Sequence, residues 1–134
     1  MRVEILEEIE EFDFSVLGVN SHEKAYKFCW ILNKNLHKHF IKVKNHKGDT
    51  NNGFQRYSHR KKLGGVKYDV ISNRSENGYL LNEYKTIDYF LVIDPSTFYE
   101  ENIIKSLTKI KEILFVFQLD LSKTKSAFEF ILND

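Results

Sequence analysis

The sequence predicts an α+β domain: one antiparallel or mixed sheet with two helices on one face, an elaborated ferredoxin-like split βαβ arrangement. Three observations carry this expectation. Runs of β-branched and aromatic residues with two-residue alternation recur at 12–20, 66–72, 87–94 and 113–120. Two stretches with apolar residues at helical spacing, near Ala25 and near Ile103, fall between strands. A length of 134 residues, 42% hydrophobic content, one proline and six glycines fit a single domain over 1–134 without a linker.

Residues 1–11 read as an acidic N-terminal arm, without the basic start and continuous apolar stretch of a signal peptide. FDFSVLGVN (Phe12 to Asn20) is the first strand. Asn20, with Glu23 three residues on, has the spacing of a capping box opening a helix. Ala25, Phe28, Cys29, Leu32 and Leu36 then form one apolar stripe, and Lys24, Lys27 and Lys34 fall toward water. FIKVK alternates, NHKGDTNNG is a loop by composition, and FQRYSHRKK is a further strand, so 45–65 reads as a basic loop or hairpin. Gly64-Gly65 breaks the chain before the better strand VKYDVIS.

In IDYFLVID (Ile87 to Asp94), alternation places Ile87, Tyr89, Leu91 and Ile93 on one face and Asp88, Phe90, Val92 and Asp94 on the other. Both faces are apolar at the middle, as in a central strand with acids at its ends. Thr97 to Glu100 is a second capping-box spacing, followed by the stripe Ile103, Leu107 and Ile110. ILFVFQLD is the last strong strand, and SKTKSAFEFIL is expected to add a short edge strand.

Cys29 is the only cysteine, so no internal disulfide forms and the core alone must hold the fold, as in a reducing compartment. The longest apolar run, FLVI, falls far short of the roughly 20 residues that cross a bilayer. A soluble cytoplasmic domain with no membrane contact is expected. The net charge of +1 conceals a separation along the chain. Glu4, Glu7, Glu8, Glu10, Glu11, Asp13 and Glu23 face Arg2 alone in the first segment. From Lys24 to Lys67 every charged residue is basic except Asp49, and from Glu76 to Glu101 every one is acidic except Lys85.

Glu83 and Asp88 are the one carboxylate pair at suggestive spacing. Catalysis would require both to converge on one pocket with a water or metal between them. No third acid at helpful spacing, no histidine partner and no phosphate-binding glycine loop lies nearby in sequence. The structural alternative is stronger: Asp88 accepts hydrogen bonds at the mouth of a strand and Glu83 orients the preceding loop. His37 and His39 have the spacing of half a metal site, but with His46 and His59 they lie in a cationic segment that repels a metal. No metal and no cofactor is expected. Ser21-His22 is explained by helix-start chemistry, and Cys29 in an apolar stripe is a buried hydrophobe.

LNEYKTIDY (Leu81 to Tyr89) resembles the signature of the bacterial IPExxxVDY family, with Glu83, Asp88 and Tyr89 at the matching positions. FDFSVLGVNSHEKAYKFCWILNK (Phe12 to Lys34), ISN (Ile71 to Asn73) and the late FVFQLD are similar to the same family. Asn82 stands where that signature has proline, so a turn fixed by proline is looser here. The resemblance implies a fold lineage and no reaction.

The basic middle is the feature that a bland fold does not require. Lys38, Lys42, Lys44, Lys47, Arg56, Arg60, Lys61, Lys62 and Lys67 are interleaved with Phe40, Phe54 and Tyr57. Cations and aromatics on a hairpin bind phosphates and stack on unpaired bases. The leading expectation is a non-enzymatic protein that binds structured RNA or the ribosome through this segment. A protein adaptor or homodimer joined by acidic and basic surfaces is the alternative, and an enzyme using Glu83 and Asp88 is a third. Compositional bias toward lysine, and lysines that blunt a sheet edge, are the competing explanations of the patch.

Overall fold

The structure, a computed structural model, describes residues 14–47, 53–60, 67–76, 78–94, 102–122 and 130. The chain runs β1 (Ser15–Asn20), α1 (Ala25–Leu36), β2 (Ile41–His46), β3 (Phe54–Arg60), β4 (Lys67–Ser72), β5 (Arg74–Ser75) and β6 (Gly78–Tyr79). A 3-10 turn (Asn82–Tyr84), β7 (Tyr89–Ile93), α2 (Ile103–Thr108) and β8 (Phe115–Gln118) follow. Six strands form one sheet in the order β2-β3-β4-β7-β1-β8, and β5 and β6 form a small separate hairpin. Each pairing in the large sheet is antiparallel. The class is α+β, as the sequence predicts.

Alternation divides the sheet residues between two apolar layers. Leu17, Val19, Tyr68, Val70, Tyr89, Leu91 and Ile93 meet the buried residues of α1 (Ala25, Phe28, Cys29, Ile31, Leu32) and of α2 (Ile103, Leu107). Both helices therefore lie on one face. Val16, Ile71, Phe90 and Val92 point to the opposite face and pack with Leu80, Leu81, Ile87 and Phe130. Each fully buried side chain of this size contributes about 1.5–3 kcal/mol. All five residues of β7 are buried between its neighbours β4 and β1, as a central strand requires.

Several local features depart from expectation. The Asn20–Glu23 capping box does not form. Asn20 ends β1, where its side-chain amide donates to the Thr86 carbonyl, and α1 begins later, with Lys24 as a cap that has no side-chain hydrogen bond. A long-range contact has taken the residue that local spacing assigned to the helix. Asp88 lies just outside β7, and Ile87 packs in the layer of Phe90 and not in that of Tyr89, because the backbone is irregular before Tyr89. The second capping box, Lys61 and Lys62 fall outside the described residues, as does the expected tail strand except Ser122, which lies in a turn, and Phe130, which belongs to the second layer. α1 stops at His37, whose left-handed backbone (φ 56°) ends the helix.

Candidate nucleic-acid interface

The motif residues gather where β1 ends and β7 begins. The Ser21 N–H donates to Asp88 Oδ2 at 2.9 Å, and Arg74 Nη2 lies 3.0 Å from Asp88 Oδ1. Ser21 Oγ donates to the Glu112 carbonyl at 2.9 Å, tying the turn after β1 to the segment that precedes β8. Asn73, fully buried, holds the loop that carries the motif. Its side-chain amide donates to the carbonyls of Tyr84 (2.8 Å) and Ile87 (2.9 Å), and its Oδ1 accepts from the Leu81 N–H (2.9 Å). Every polar atom of that side chain is thus used to fix loop backbone. The Tyr89 hydroxyl donates to the Glu23 carbonyl, and its ring stacks on Phe28 at 4.3 Å. Burial pushes the Tyr89 phenol well above its ordinary titration range, with the Asp88 charge acting in the same direction.

Asp88 therefore accepts backbone hydrogen bonding at the strand mouth, which answers the acid's placement in structural terms. A cleft of about 500 Å³ beside it is lined by Ser21, His22, Arg74 and Asp88 among others, but not by Glu83. Glu83 is exposed on the 3-10 turn. The carboxylate pair does not converge on that cleft.

The basic segment divides sharply. Lys42, Lys44 and Lys47 are exposed on and beside β2, which is an outer strand among the described ones, and Lys38 is half-buried with its ammonium 4.8 Å from the Tyr68 ring. Lys42 lies 5.9 Å from the Tyr57 ring and donates to Asn45 Oδ1 at 2.8 Å. Phe54 and Arg56 correct the expectation: both are buried and present nothing to a partner. Phe54 belongs to the second apolar layer. Arg56 Nε sits 2.9 Å from Asp69 Oδ1, and Arg60 Nη1 is 3.5 Å from the other oxygen of the same carboxylate. Ser58 Oγ also donates to Asp69 Oδ1. The pairing of β3 with β4 sets Ser58 opposite Asp69, so the register itself brings Asp69 among these three side chains. A guanidinium in that position completes a buried ion pair and is not a contact for phosphate. Lys67 opens β4, and its side chain lies outside the described set, like Lys61 and Lys62.

Between the start of α1 and the β2–β3 hairpin runs a groove of about 630 Å³. Lys24 and Tyr26 line it from the helix; Asn45, Gln55 and Tyr57 line it from the hairpin; Arg74 and Glu76, the only acid among the described lining residues, line it from the far side. Gly53, at φ +75°, turns the chain into β3 where a Cβ would lie 3.0 Å from the His46 carbonyl oxygen. Tyr26 is 66% exposed and Trp30, one helical turn on, is 57% exposed. Two large aromatic rings thus stand on the exposed side of α1, one turn apart. The Lys34 ammonium lies 5.3 Å from the Trp30 ring. Sequence reading passed over Tyr26, Trp30 and Arg74. The signal was present for the first two, since both fall outside the apolar stripe of α1, whereas Arg74 reaches the groove only through the β5–β6 hairpin.

Other candidates are accounted for locally. The His39 N–H donates to His59 Nδ1 at 2.9 Å, and among the described residues no group of three or more His, Cys, Asp or Glu is arranged to hold a metal ion. Burial pushes the Cys29 thiol up to about 12, so it stays protonated and inert as a nucleophile near neutrality. Among the described residues no helix is long and apolar enough to cross a membrane. No family model, curated protein or solved structure matches this chain.

Proposed function

We propose that this protein acts by binding and not by catalysis, and that its ligand is structured RNA, the ribosome included, held on the outer strand β2 and the groove beside it. The observation that carries the reading is the exposure of Lys42, Lys44 and Lys47 beside a groove that also holds Lys24, Tyr26, Tyr57 and Arg74. Cations spaced along a strand neutralise successive phosphates, and each phosphate contact steepens the fall of affinity with salt. The test is sedimentation of the protein with RNA and with ribosomal particles at low and high salt, beside a variant carrying Lys42→Glu, Lys44→Glu and Lys47→Glu. The expected result is salt-sensitive co-migration that the variant loses, with the salt slope reduced by roughly one per lysine removed. Migration as a small free species at both salts would sink the reading.

We also propose kinship with the IPExxxVDY family and a ferredoxin-like lineage for the sheet. What supports the kinship is that Ser21, Asn73, Arg74 and Asp88 act together at one end of β1 and β7, so the separate stretches of the resemblance share one structural task. A second functional reading, a protein partner or homodimer, is favoured by a different surface. At β8, the outer strand among the described ones, Phe115 and the preceding Leu114 are each 58% exposed, and no charged residue stands between Ile113 and Leu119. Outer strands without charge are prone to pair with another chain. A mass that rises with concentration and returns to the monomer value in Phe115→Lys would support that reading.

A further inference from the structure

We infer that the groove between α1 and the β2–β3 hairpin takes an unpaired nucleotide of the RNA, its base stacked on Tyr26 and its flanking phosphates on Lys24 and Lys42. This rests on the RNA reading above and deepens it from charge attraction to base recognition. The composition of the groove is the first ground. Duplex RNA hides its base faces, and a surface that met only its phosphates would need cations alone. Here an exposed tyrosine stands in the lining with a second, half-buried one, Tyr57, across from it on the hairpin.

Tyr57 is held differently from Tyr26, and the difference assigns their roles. Tyr57 packs against the helix-side core, and burial raises its phenol above the ordinary range. It can form a wall and support Lys42, whose ammonium lies 5.9 Å from its ring. Tyr26 has most of its ring in water, which a stacked base would cover. The exposed carboxamide of Gln55 supplies a donor and an acceptor that read a base edge, and Asn45, whose Oδ1 accepts from Lys42, holds that ammonium at the groove. Aromatic platform, cations and an amide together are what recognition of an unpaired base requires, and a volume of about 630 Å³ accommodates a nucleotide. Arg74 closes the far side with its charge partly committed to Asp88, so it serves the wall more than a phosphate.

The experiment is fluorescence anisotropy with a labelled single-stranded RNA and with the duplex of the same sequence, using the full chain, Tyr26→Ala, Tyr26→Phe and the Lys42, Lys44, Lys47→Glu variant. The full chain is expected to bind the single strand more tightly. Tyr26→Ala should weaken that binding by about tenfold or more while leaving duplex binding unchanged, and Tyr26→Phe should restore it. Tyr26 is exposed, so both variants are expected to fold, which circular dichroism verifies. Equal binding of single strand and duplex, insensitive to Tyr26→Ala yet lost in the lysine variant, would overturn the stacking site and leave the RNA reading standing. Failure of the full chain to bind either RNA would overturn both.

Discussion

Asn73 shows how much one buried polar side chain can organise. Three hydrogen bonds run from its carboxamide to the backbone of Leu81, Tyr84 and Ile87, and its own N–H donates to the Asp88 carbonyl at 3.0 Å. Without the carboxamide, the two carbonyls and one N–H would be left without these partners, each at a cost of about 1–3 kcal/mol. Asn73→Ala is therefore expected to lower stability by about 3 kcal/mol or more in urea unfolding. Asp88→Asn is the informative contrast. An amide oxygen still accepts from the Ser21 N–H, and the ion pair lost is with an Arg74 that is largely in water, so the change costs about 1 kcal/mol or less. If Asp88→Asn proved the more damaging of the two, the loop would be held by the carboxylate, and the role given to Asn73 would be wrong. Sequence reading recognised the acid at the strand mouth but not the amide behind it. Asn73 sits in ISN without periodicity or charge to distinguish it, and its side-chain partners lie up to 14 residues away.

At the level of elements, sequence is most legible where burial follows a period. The stripe of α1 and both faces of β7 are read correctly because each turn or alternate residue meets the same layer. The hairpin β2–β3 is legible as a hairpin but not as a surface. Nothing in FQRYSHR reveals that Phe54, Arg56 and Ser58 point inward, since that depends on pairing Ser58 with Asp69 across to β4. Gly18 in β1 is a second case. It pairs with Phe90 on one side and Phe117 on the other, and a Cβ there would lie 2.7 Å from Ile87 Cδ1 and 3.1 Å from the Phe117 ring. The glycine lets the loop after Asn73 lie close against the middle of the sheet. Gly18→Ala is expected to cost about 1–3 kcal/mol by overpacking. Ile87→Val removes the nearest methyl, so adding Gly18→Ala to it should cost at least 1 kcal/mol less than in the parent, a coupling that a double-mutant cycle measures. Additive effects would mean that Phe117 or Leu119, and not Ile87, sets the clearance.

Across the whole molecule, burial falls away from the centre of the sheet toward β2. All of β7 is buried, whereas β2 has no fully buried residue and leaves Ile41 half-exposed. β2 is bonded on one side only among the described strands, and its pairing with β3 is interrupted between Val43 and His46. Few buried contacts and an irregular ladder give a low free energy of local opening. Native-state hydrogen exchange should therefore show β7 amides opening only with global unfolding, and β2 amides opening locally at a fraction of that free energy. This gradient bears on binding, because the exposed lysines proposed to meet RNA lie on and beside a strand with no fully buried residue. A ligand that binds only the closed strand stabilises it by RT ln(1 + [L]/Kd), about 2.7 kcal/mol when its concentration is a hundred times Kd. Saturating RNA is thus expected to slow exchange in β2 and β3 and leave β7 unchanged. Protection appearing instead at the β8 edge, around Leu114 and Phe115, would move the binding surface to the opposite end of the sheet.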